Sequence, residues 1–154
     1  MKLIQKVLFA SCILVILSCG GGGGGSSQAV QIPGGYIVTV SLSKNTCPSI
    51  PSNNRAEGFF EVNQSGNQVV VSVTPDFGYT GTVTANDSFR ATRTEQKNCR
   101  PSGTSQEVDT LEFSGITSDS AFVTVTQDFS RCSGDDSGAS ACQIIYVGSA
   151  DRIK

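Results

Sequence analysis

The chain has 154 residues, 13 acidic and 11 basic side chains, a formal charge of −2, and neither histidine nor tryptophan. Without histidine, Ser-His-Asp and Cys-His nucleophilic sites and histidine-ligated zinc are excluded. The only basic cluster, Arg90, Arg93, Lys97 and Arg100, is interrupted by Glu95; it reads as a solvated strand edge, and nucleic acid is not expected as a partner.

Lys2 and Lys6 precede an apolar run of eleven residues, 7–17, broken by Ser11. That run is short of the roughly 20 apolar residues that span a hydrocarbon core. It has the length and flanks of a signal-peptide h-region. It ends in Ile16-Leu17-Ser18-Cys19. This resembles the lipobox of bacterial lipoproteins, in which an aliphatic, a variable and a small residue precede the lipidated cysteine. The resemblance implies cleavage before Cys19, diacylglycerol transfer to its thiolate, N-acylation, and a bacterial envelope location. Gly20 carries no aspartate-type inner-membrane retention signal, so the outer membrane is expected. Two or more acyl chains anchor a protein stably where one does not.

Cys19 is followed by an unbroken glycine run, 20–25, then Ser26-Ser27. Such a stretch has no side chains to bury and behaves as flexible coil. A phosphate-binding loop is excluded, since no lysine follows the glycines. The chain therefore divides into a signal peptide, 1–18, a tether, 19–33, and one β domain, 34–154. Loss of the signal removes Lys2 and Lys6 and takes the basic count from 11 to 9 against 13 acidic residues. Cys12 leaves with the signal. Cys47, Cys99, Cys132 and Cys142 remain, an even number that reads as two disulfides in an exported domain. No Cys-x-x-Cys pair supports a metal site instead.

The domain shows period-two alternation and turn signals. Strands are expected over 36–42, 57–63, 68–74, 79–84, 89–95, 107–113, 120–127 and 142–148. Ile37 and Val70 depart from the clean alternation. Gln64-Ser65-Gly66-Asn67, Pro75-Asp76-Phe77-Gly78 and Ala85-Asn86-Asp87-Ser88 are turn signals. The long connections are 43–56, 96–106 and 128–141; they carry Cys47, Cys99 and Cys132. With one exception, between the third and fourth strands, short and long connections alternate. In an up-and-down meander this puts tight hairpins at one end and long loops at the other. An all-β, eight-stranded antiparallel up-and-down barrel is expected, with a β-sandwich as the alternative.

Strand count and loop order over 34–152 resemble the lipocalin-like, or calycin, barrels. Gly34-Gly35-Tyr36 stands where lipocalins have Gly-x-Trp on the first strand, and Arg152 stands where a late basic residue packs on that aromatic ring. The resemblance implies that Tyr36 and Arg152 meet at the closed end. The avidin branch uses tryptophans in its ligand site, so biotin binding is not supported. In the closed meander the end of the first strand lies beside the start of the eighth, and the start of the sixth beside the end of the seventh. That favours Cys47–Cys142 and Cys99–Cys132. The rival pairing is Cys132–Cys142 with Cys47–Cys99.

Candidate chemistry is sparse. Asp135-Asp136 lies in a Ser/Gly loop without recognisable calcium-ligand spacing. Glu107 and Asp109 form a second carboxylate pair. Asp76-Phe77-Gly78 lacks every other kinase element, and the sequons at Asn63 and Asn86 carry no information in a bacterial lipoprotein. The aromatics Phe59, Phe60, Phe77, Tyr79, Phe89, Phe113, Phe122, Phe129 and Tyr146 are candidates for a pocket lining or a core. An eight-stranded barrel is either filled by side chains or just holds one small ligand. The expectation is a membrane-anchored barrel binding a small apolar molecule; the alternative is a filled-barrel structural or protein-interaction module. No enzymatic activity and no cofactor are expected.

Overall fold

The alternation read from the sequence becomes the inside and outside of a single wall. The computed structural model describes residues 32–47, 52–74, 76–98, 103–130 and 141–154. The strands are β1 (Gly34–Asn45), β2 (Arg55–Ser65), β3 (Gln68–Thr74), β4 (Phe77–Ala85), β5 (Ser88–Asn98), β6 (Thr104–Ser114), β7 (Ser120–Phe129) and β8 (Cys142–Arg152). Each pairs antiparallel with its neighbour in sequence, and β8 closes on β1, making an up-and-down barrel. The sandwich alternative is thereby set aside.

One end is sealed by turns. Gly66, at φ 58°, makes the tight β2–β3 hairpin, a conformation glycine adopts without steric cost. Ile116, from the β6–β7 turn, is buried, and its N–H donates to Asp87 O in the β4–β5 turn at 2.9 Å. Ile32, just before β1, is buried beside it in the same core. The Tyr36 hydroxyl donates to Ile32 O at 2.8 Å. The Arg152 guanidinium donates to Pro33 O and lies 5.9 Å from the Tyr36 ring centroid. The contact implied by the lipocalin resemblance is present, and it holds the incoming chain at the sealed end.

Above this plug the barrel is packed. Inward positions bring together Val38, Val62, Val69, Val71, Phe89, Leu111, Phe113 and Val123, all buried. Phe89 stacks on Phe113 at 4.7 Å, and Tyr36 meets Phe113 edge-on at 5.5 Å. Each such side chain contributes about 1.5–3 kcal/mol on burial. Gly148 faces inward on β8, where an added Cβ would lie 2.0 Å from Thr39 O of β1. Only glycine permits that approach of the two strands.

Several strands run further than the alternation predicts. The β5–β6 ladder continues to Asn98↔Thr104, and β8 reaches Arg152. The added part of β5–β6, at the long-loop end, and that of β8, at the sealed end, are mostly polar, so pairing persists where the hydrophobic signal has faded. Cys47 and Cys142 are joined in a disulfide, Cα–Cα 5.1 Å, across the β1–β8 seam. Thr46 extends that seam: its N–H donates to Gln143 O at 2.9 Å and its hydroxyl accepts from Gln143 N at 2.8 Å. Cys19, Cys99, Cys132, the Asp135-Asp136 pair and residues 19–31 of the expected tether lie outside the described residues, while Ile32 and Pro33, expected as tether, belong to the domain.

Candidate functional site: the ionised upper half of the barrel

Strand parity places the site. On β5 the odd positions that bury Phe89 and Ala91 continue upward as Arg93, Glu95 and Lys97. On β6 the odd positions that bury Phe113 and Leu111 continue as Asp109 and Glu107. The register sets Arg93 opposite Asp109 and Glu95 opposite Glu107, and Asp109 opposite Gln127 of β7. The basic cluster is therefore not a solvated strand edge, since a closed barrel has no edge there. Arg93 and Lys97 turn inward, while Arg90 stays outside, 3.6 Å from Glu112. Arg100 lies outside the described residues.

The groups are closely paired. Arg93 Nη2 lies 3.0 Å from both Asp109 Oδ2 and Glu95 Oε2, and its Nε donates to Asp109 Oδ2 at 3.3 Å. Its guanidinium rests 3.9 Å from the Phe77 ring centroid, and Phe77 meets Tyr79 edge-on at 5.6 Å. Lys97 Nζ is 2.5 Å from Glu107 Oε2. Gln127 Nε2 spans the two acids, 3.4 Å from Glu107 Oε1 and from Asp109 Oδ1. Glu107 and Asp109 are buried, at 5% and 1% exposure.

Burial pushes the Asp109 pKa up; the Arg93 hydrogen bond opposes this and the Glu107 charge adds to it. Burial also raises the Tyr79 hydroxyl, to about 12, with Asp109 reinforcing and Arg93 opposing. The Glu107 contact holds the Lys97 ammonium above its ordinary value. Three carboxylates face two cations in this set, a surplus of one negative charge when all are ionised. Among the described residues no group of acids or cysteines is arranged to hold a metal ion.

The aromatic candidates divide. Tyr79, Phe89 and Phe113 are buried, and Phe60, Phe77 and Tyr146 are partly buried and pack against the core. Phe122 and Phe59 point outward and are 72% and 47% exposed, so they line no interior pocket. Hollows mark the surface among the described residues. One, about 410 Å³, lies at the rim beside the disulfide, lined by Thr46, Val108, Asp128, Phe129 and Gln143 among others. Another, about 390 Å³, lies where β3 stops short of β2, against Phe59, Glu61 and Val73.

Comparison with protein families, curated proteins and solved structures finds no match to this chain. What the site can do rests on its own geometry.

Proposed function

We propose that the protein is a lipid-anchored, lipocalin-like module of the bacterial envelope that binds a partner through the open end of a filled barrel. The observation that carries this reading is the polarity of the barrel. The chain arriving from Cys19 is gripped at the sealed end by Tyr36 and Arg152. The ionised set and the three long connections belong to the opposite end. A tethered barrel so built turns its long loops away from the bilayer.

A cup for an apolar molecule is the second reading. Against it, such a guest would occupy the level of Arg93, Asp109 and Glu107, and would desolvate charges it cannot pair. Native mass spectrometry of residues 26–154, produced in a periplasm, separates the two. The expected result is bare protein that takes up no hydrophobic probe. A stoichiometric apolar molecule released on denaturation would establish the cup. The anchor is tested on its own: Cys19→Ala should lose membrane association, and wild type that incorporates no labelled palmitate would sink it.

A further inference from the structure

The outer wall is not uniform. The outward positions of β4 and β5 are polar throughout, with Thr80, Thr82, Arg90, Thr92 and Thr94 all exposed. The opposite wall, β7–β8–β1–β2, carries Phe122, Val147, Ile37 and Phe59, with Ile153 just past β8, while a single further large exposed apolar side chain among the described residues, Val70, stands apart on β3. Three of these form one surface. Ile37 pairs directly with Phe59 across β1–β2. Ile153 N–H donates to Gly35 O at 2.9 Å. Gly35 lies under both neighbours: a Cβ there would be 2.9 Å from the Phe59 ring and 3.7 Å from Ile153 Cδ1. This patch adjoins the Gly34-Gly35 step at which the tether passes into β1.

From these placements we propose that the Ile37–Phe59–Ile153 face docks on the lipid bilayer, an inference that rests on the lipidation of Cys19. Twelve residues, 20–31, separate the anchor from buried Ile32. A flexible chain of that length has an r.m.s. reach of about 20 Å. The patch is thus held within reach of the headgroup–acyl boundary, where aromatic and aliphatic side chains bury apolar area. The charges beside it give no electrostatic attraction to anionic lipid: Lys154 is paired with Asp119 at 2.9 Å, and Asp151 and Glu61 are acidic. Docking is therefore apolar and holds on neutral vesicles.

The chain contains no tryptophan, so one introduced indole reports its own surroundings. Full-length lipidated Phe59→Trp, Ile153→Trp and, on the opposite wall, Thr92→Trp are reconstituted in phosphatidylcholine vesicles with brominated acyl chains. Trp fluorescence at 59 and at 153 should be quenched severalfold more than at 92, and blue-shifted. Equal quenching at all three positions, or none at 59 and 153, overturns the inference. A blue-shifted but unquenched Phe59→Trp places a second copy on the face and overturns it too. Intact mass of the same preparations reports the acyl chains on Cys19. Acylated protein that shows no quenching overturns docking alone; protein without acyl chains overturns docking and anchor together.

Discussion

Asp109 and Arg93 are the residues on which the upper barrel turns. Removing one member of a buried ion pair strands the other, typically at a cost of 3–5 kcal/mol, whereas replacing both with apolar groups is often tolerated. Arg93 keeps a 22% exposed side chain, so Arg93→Leu should cost about 3 kcal/mol, the lower end of that range. Asp109→Leu should cost as much or more, and the double variant less than either alone. Chemical denaturation of the four proteins gives the cycle; additive losses would show that the pair is not coupled. The pH dependence has a definite sign. Because burial raises the Asp109 pKa above 3.8, the folded protein still holds this proton at pH values where the unfolded chain has released it. Asp109's contribution is therefore present below that window and lost as pH rises through it. The melting-temperature margin of wild type over Asp109→Asn should shrink as pH rises from 3.8; a margin that widens would contradict the assignment.

At the scale of strands, two glycines separate conformation from space. Gly66 has a positive φ with nothing within 4 Å of an added Cβ, while Gly148 has an ordinary φ but a carbonyl in the way. Gly66→Ala should cost about 1–2 kcal/mol, the penalty for a left-handed L-residue. Gly148→Ala must push β8 from β1 and should cost about 3 kcal/mol or more, beyond typical overpacking. Thermal melts rank the two; the reverse order would mean that the β1–β8 seam gives easily. The same scale explains what could be read beforehand. Hairpin signals and alternating valines announced eight strands, and the ordering of short and long connections announced the closed meander. The inward role of the upper reaches of β5 and β6 was illegible because Arg93, Glu95, Lys97, Glu107 and Asp109 give that face no apolar signal. Their inward direction follows only if the parity of Phe89 and Ala91, and of Phe113 and Leu111, is carried past the hydrophobic part of the strand. Phe122 misled for the converse reason: a large aromatic side chain suggests an interior, yet its even position on β7 faces solvent beside inward Ala121 and Val123.

For the molecule as a whole, the Cys47–Cys142 bond closes a loop with sequence separation 95 that contains β2 to β7, six of the eight strands. A cross-link over that span restrains the unfolded chain by about 4–5 kcal/mol on the chain-entropy estimate. Cys142→Ser should lower stability by about 2–5 kcal/mol, the range for loss of a native disulfide, in guanidinium unfolding of the oxidised protein. A much larger effect of reductant than of the mutation would point to a second bond, which Cys99 and Cys132 could supply.

The way β1 is set in the wall also has a mechanical consequence. It is the strand joined to the tether, and it is laddered on both sides, to β2 over eight residue pairs and to β8 over nine. A pull from the membrane, resisted by a partner held at the mouth, would run along this strand. Antiparallel ladder bonds lie across the strand direction, so the two rows would be loaded together in shear and would not unzip one by one. The disulfide stands just past the far end of the same strand. With the proposed anchor at Cys19, β1 would bear force along the line between the membrane and the open end.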